Sequence, residues 1–141
     1  MTARAHSALL DRPLSLDAAH AFVRDPAAGA VVVFTGLVRS HAEGRDVSGL
    51  SYEAYRSVAE DRLAALAAEL GARDGIVAVW LEHRLGNLDV SEPSVVVAVS
   101  GAHRPDAFAV CREGIDTLKA EVPIWKREHW VTGGSHWPGT D

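Results

Sequence analysis

Two scarcities stand out in this 141-residue chain: one cysteine, Cys111, and only two lysines, Lys119 and Lys126, among 14 basic residues. A single cysteine excludes an internal disulfide and leaves no CxxC pair for zinc or dithiol chemistry. No apolar run approaches the ~18 residues of a membrane span. The first residues, Met1 to His6, lead through Leu9-Leu10 into Asp11-Arg12 without a signal-peptide core, so a cytoplasmic location is expected. The formal charge of −5 argues against broad binding to nucleic acid or an anionic membrane, and any anion site must be a local cluster. No GxxxxGK[ST], GxSxG or GxGxxG occurs, which removes the commonest NTPase, hydrolase and dinucleotide-binding readings. Among the histidines, His129 and His136 lack metal-ligand spacing, so neither a structural metal nor a bound cofactor is expected.

A hydrophobic fraction of 48% suits one compact domain spanning residues 1–141, with a core over about 13–130 and a loose tail from Gly133 onward. Ser15 caps a first helix with Leu16, Ala19, Phe22 and Val23 on one face, ended by Asp25-Pro26. The β-branched run Ala30 to Val38 predicts a buried strand that delivers Arg39 to its end. A polar loop, Ser40 to Ser48, precedes a strand in which Leu50, Tyr52 and Ala54 alternate with polar neighbours. Ser57-Val58-Ala59-Glu60 has the form of a capping box, and its helix runs along Ala59, Leu63, Leu66 and Leu70 to Gly71. Ile76–Leu85 and Val95–Ser100 predict a hairpin-like strand pair around a Gly86-Asn87 turn. A last helix starts near Pro105, carries Phe108, Cys111, Ile115, Leu118 and Val122 on one stripe, and ends at Pro123. This order predicts an α+β fold with a mostly antiparallel sheet and flanking helices.

Where Arg serves as the general cation, the two retained lysines are the groups suited to acid/base or covalent amine chemistry. Taken alone they do not rise above a helix-end cation at Lys119 and a stem packed on Trp125 at Lys126. Arg39 ends an apolar strand at the start of a loop. His103-Arg104 sits at a strand-to-helix junction, where backbone amides and the positive end of the helix dipole favour an anion. Glu53 reads as a surface carboxylate able to pair with an arginine. His83, on the face of Val79 and Leu81, reads as a satisfied histidine at the core edge, and Cys111 as a buried, inert thiol.

Phe34-Thr35-Gly36-Leu37-Val38-Arg39, Leu50-Ser51-Tyr52-Glu53-Ala54-Tyr55, His83-Arg84-Leu85-Gly86, Ala102-His103-Arg104 and Leu118-Lys119 through Pro123-Ile124-Trp125-Lys126-Arg127-Glu128 together resemble the large, catalytic subunit of molybdopterin synthase, the MoaE family. The likeness runs from about Gly29 to Glu128. It implies an α/β hammerhead-type fold and a homodimer that carries a small ubiquitin-like sulfur carrier at each end of a heterotetramer. It also implies a sulfurtransferase: the carrier's C-terminal Gly-Gly thiocarboxylate donates sulfur to cyclic pyranopterin monophosphate to build the molybdopterin dithiolene. Lys119 and Lys126 match the family's essential lysines, with acid/base work, charge stabilisation and an amide between Lys119 and the carrier tail as roles open to them. Arg39, His103 and Arg104 match the anion-anchoring positions. Two departures stand out: Ser40 replaces a common Asn, and no Lys or Arg follows Arg127, so the basic tail residue of the neighbouring site is either absent or replaced by a histidine such as His136.

Overall fold

The computed structural model describes residues 3–138. One sheet holds β1 (Arg4–Leu10), β5 (Ile76–Arg84), β7 (Pro93–Gly101) and β2 (Ala30–Leu37), in the order β1-β5-β7-β2. Only β1 and β5 run parallel; β5–β7 and β7–β2 are antiparallel. Helices α2 (Arg56–Gly71) and α3 (Arg104–Glu121) cover one face and α1 (Leu16–Val23) the other. Period two explains why the central strands read as unbroken apolar runs. Val79, Leu81, Val95, Val97 and Val99 pack under α2 and α3, while Ala78, Trp80, Val96 and Ala98 pack under α1.

The second sheet is built on β4 (Arg45–Ala54), flanked by β3 (His41–Ala42), β6 (Gly86–Asp89) and β8 (Ile124–Trp130), with β9 (Ser135–His136) outside β8. The fold is therefore α+β and mostly antiparallel, as the element order predicts, and Ser15 caps α1 by accepting from the Ala18 amide at 3.1 Å.

Several local expectations are corrected. Arg4–Leu10, which lies before the core expected over about 13–130, is a strand of the main sheet: it pairs with residues more than seventy positions away, a partner that no local pattern reveals. The Ser40–Ser48 segment is largely a hairpin rather than a loop. Glu43 (φ 52) and Gly44 (φ 75) form its two-residue turn between Ala42 and Arg45, both in the left-handed region that such turns demand. The capping box at Ser57 does not form, because β4 passes into α2 through Tyr55 alone, which puts Ser57 inside the first turn. Gly86-Asn87 belongs to β6 on the second sheet, so the β5–β7 connection is an excursion between sheets rather than a turn. Phe108, assigned to the buried stripe, is 61% exposed. Ser135–His136 of the expected loose tail pairs with β8.

Candidate active site

The two sheets and the end of α3 enclose a cleft of about 490 Å³. Its floor is a row across the first sheet in which Gly36, Val95 and His83 are successive cross-strand partners. Gly36 has no alternative there, since a Cβ would stand 2.7 Å from Val95 Cγ1. The facing wall comes from the second sheet, where Leu50 opposes Glu128 and Tyr52 opposes Lys126. The C-terminal turn of α3 closes the third side: Val122 caps the helix through its amide to the Leu118 carbonyl at 3.0 Å, and Pro123 turns the chain into β8.

This construction brings Lys119, Lys126 and Arg39 to one cleft. Lys119 projects exposed from the last turn of α3, Lys126 is half-buried on β8, and Arg39 follows the end of β2. Among the described residues Lys119 forms no ion pair, whereas Arg127 approaches Glu53 at 3.9 Å, so Glu53 does pair with an arginine. The field of the Lys119 ammonium is thus available to an anionic ligand.

Two residues left without a role by the sequence reading also line the cleft. Glu128 is only 7% exposed. It lies two positions beyond Lys126 on the same face of β8, a relation that period two would have revealed had the charged run Trp125 to His129 been read as a strand. His83, 6% exposed, is buried as expected, but at the cleft floor. Its Nδ1 contacts the Arg84 carbonyl at 2.7 Å and its ring meets Tyr52 edge-on at 4.7 Å. Burial pushes its pKa down to about 4, against the opposing pull of the Arg84 carbonyl and with help from the Lys119 charge, so the imidazole is neutral at pH 7.

The structure does not bring His103 and Arg104 to these groups within one chain. They lie with Gly29, Ala102 and Pro105 in a separate depression at the opposite end of α3. Arg104 opens that helix and Lys119 occupies its last turn, so fifteen residues of helix put them about 22 Å apart. His136 stacks on Trp130 with ring centroids 5.5 Å apart and faces Glu43 at 3.5 Å, outside the cleft lining. Cys111 is buried and donates to the Val97 carbonyl; burial pushes its thiol up to about 11, with the Phe34 backbone pulling weakly the other way.

Residues 9–121 match the family model described as MoaE protein. The chain is 46% identical over 126 residues to the molybdopterin synthase catalytic subunit of Nostoc sp. (strain PCC 7120), an alignment covering 89% of this chain and 76% of that protein. It is 45% identical over 115 residues to that of Thermoplasma volcanium, covering 82% and 84% respectively. Among solved structures, molybdopterin synthase from Staphylococcus aureus superposes with a TM-score of 0.86 at 38% identity, covering 93% of this chain and 95% of that one.

Proposed function

Because this chain belongs to the MoaE family, we propose that its cleft is the sulfur-transfer site of an enzyme of molybdenum cofactor biosynthesis. The observation that carries the reading is that the chain's only two lysines line one cleft together with Arg39. A sulfurtransferase of this kind handles two anions, the thiocarboxylate tail of a small carrier subunit and the phosphate of cyclic pyranopterin monophosphate. Lys119 and Lys126 supply charge and exchangeable protons to the reacting groups, and Arg39 supplies a fork for an oxyanion. No helix among the described residues is long and apolar enough to cross a membrane, and we place the reaction in the cytoplasm.

The reading also assigns His103 and Arg104 a place, in a homodimer. Among the described residues strand β2 pairs with β7 on one side only, and Val33, Phe34 and Leu37 along it are exposed. An open, apolar edge of this kind is a template for pairing. If a second copy pairs its own β2 antiparallel across a two-fold axis near Val33-Phe34, the Ala30 end of one strand meets the Leu37 end of the other. Gly29, beside His103 and Arg104, then approaches the partner's cleft, which includes Gly36 and Leu37. Each site would take its lysines from one subunit and its second anion anchor from the other, with a carrier bound at each end.

The test is reconstitution: purified protein, thiocarboxylated carrier and cyclic pyranopterin monophosphate, with dithiolene product as the readout. Lys119→Ala and Lys126→Ala, assayed separately, are each expected to lower turnover by about 10²- to 10⁴-fold, the range for a lost acid/base or charge-stabilising group. Full activity in either variant would remove that lysine from the mechanism, and absence of product with the unsubstituted protein would overturn the reading.

A further inference from the structure

We infer that Arg84 is a positioning residue for the anion anchor of the cleft: through Glu92 it fixes the backbone of Val38, and with it the point from which Arg39 enters the cleft. The inference rests on the sulfur-transfer reading for its kinetic test only, because the contacts that carry it belong to the fold. Arg84 closes β5, and its side chain is 11% exposed. Its Nε donates to Glu92 Oε2 at 3.1 Å, its Nη1 to the Leu85 carbonyl and its Nη2 to the Asn87 carbonyl at 3.4 Å. Leu85 and Asn87 lie where the chain leaves the first sheet for β6, and Glu92 lies where it returns to β7. A guanidinium carries five donors in a fixed plane, which suits it to acceptors on three different segments.

Glu92 passes this placement on. Its Oε1 accepts the Asp89 amide at 3.2 Å, and its own amide donates to the Asp89 carbonyl at 3.1 Å, so one turn is tied at both ends. Val38 is clamped to that turn by two backbone bonds. Its amide donates to the Glu92 carbonyl at 3.1 Å, and its carbonyl accepts the Ser91 amide at 2.8 Å. These bonds hold the chain beyond the last β2–β7 pair, Leu37 with Pro93, where the regular ladder has ended. The turn does not sustain itself: Ser91 has φ 72, a left-handed conformation that a residue with a Cβ keeps only where its surroundings impose it. Without the Arg84 guanidinium the largely buried Glu92 carboxylate would lose its cation and be driven toward water. Arg39 follows Val38 directly and lines the cleft. Among the described residues no hydrogen bond or ion pair holds its side chain, so the backbone that carries it sets its position.

Amide hydrogen exchange followed by NMR on the purified chain tests the linkage without turnover. In Arg84→Met the Val38 and Ser91 amides are expected to exchange about tenfold faster or more, relative to the Val97 amide at the centre of the first sheet. Equal acceleration of all three, or of none, would overturn the inference. Glu92→Ala breaks the same link from its other end and leaves Arg84 its two carbonyl acceptors. It is expected to give the same selective acceleration, so the test survives a misfolded Arg84→Met. In the reconstituted assay Arg84→Met is expected to raise KM for cyclic pyranopterin monophosphate by about fivefold or more, with kcat within about threefold. Arg84→Lys, which keeps a cation beside Glu92, is expected to recover part of that rise. A fall in kcat at unchanged KM would overturn the positioning role. Added to Arg39→Ala, Arg84→Met is expected to change kcat/KM by less than about twofold, because both act through one group; multiplied losses would overturn it. Failure of the unsubstituted protein to transfer sulfur would overturn the functional reading, whereas the exchange result decides the linkage on its own.

Discussion

Mixing two inactive variants tests whether the site is shared between subunits. In the structure Arg104 and Lys119 are separated by fifteen residues of one straight helix, about 22 Å, whereas a hydrogen-bonded anchor must lie within about 3 Å of the group it holds. A single chain therefore cannot place both on one small substrate. Suppose His103→Ala and Lys119→Ala homodimers are each inactive, then unfolded together and refolded. Random pairing makes half of the dimers mixed. Each mixed dimer contains one doubly damaged site and one site with an intact Lys119 from one subunit and an intact His103 from the other. Recovery to about a quarter of the unsubstituted activity is expected for this two-fold arrangement, measured as dithiolene product per subunit. If both residues acted within one chain, every site in every dimer would carry one lesion and the mixture would stay inactive. That outcome would refute the shared site and with it the pairing through β2. A control mixture of Lys119→Ala with Lys126→Ala, whose positions line the same cleft of one chain, should show no recovery above background.

Three further predictions concern two groups that the fold buries. The His83 pKa of about 4 lies below its reference of 6.5, so the unfolded chain binds the extra proton first and stability falls as pH drops through that window. Between pH 7 and pH 5 this contributes a loss of about 2 kcal/mol, and denaturant titrations at the two pH values should show that part of the loss missing in His83→Gln. Cys111, with its thiol pushed up to about 11 and its side chain buried under α3, should react with a thiol reagent at pH 8 only as fast as the chain opens. Rapid labelling of the native protein would contradict the burial. Cys111→Ala is expected to leave sulfur transfer within about twofold, since sulfur arrives on the carrier.

The elements legible in the sequence are those whose signal is local. Ala30–Leu37 and Pro93–Gly101 announce themselves by β-branched runs, α1 by its Ser15 cap, and α3 by Pro105 and Pro123 at its two ends. What was hidden depends on distant partners or atypical chemistry. Arg4–Leu10 carries no β-branched residue and becomes a strand because residues 78–84 lie beside it. The β3–β4 turn uses Glu-Gly where Asn-Gly or Asp-Gly would have been recognised, and β8 is hard to see because Lys126, Arg127 and Glu128 interrupt its apolar residues. The site divides in the same way. Composition drew attention to Lys119 and Lys126 but did not by itself make them site residues, which took the motifs around them, and a strand end pointed to Arg39. The place of His83 at a cleft floor required the register of β5 on β7, which no window of sequence contains.

The separation of His103-Arg104 from Lys119 was, by contrast, already implicit in the chain. A helix beginning at Pro105 and stopping at Pro123 leaves the two groups at opposite ends whatever the rest of the fold does. Each end also suits its occupant. The amides and positive dipole at the start favour an anion beside His103 and Arg104, and the carbonyls at the end favour the ammonium of Lys119. Both preferences cannot be met around one substrate by one helix, but two copies of the helix, antiparallel about a two-fold axis, put the start of each beside the end of the other. In the proposed homodimer the same operation would pair β2 with β2 and cover Val33, Phe34 and Leu37, so one partner would account for both the exposed edge and the divided anion site. A protein in which Val33→Asp, outside the cleft lining, leaves a monomer with an intact fold should therefore bind the carrier tail yet lose sulfur transfer. A monomeric variant with full activity would break that link between edge and site.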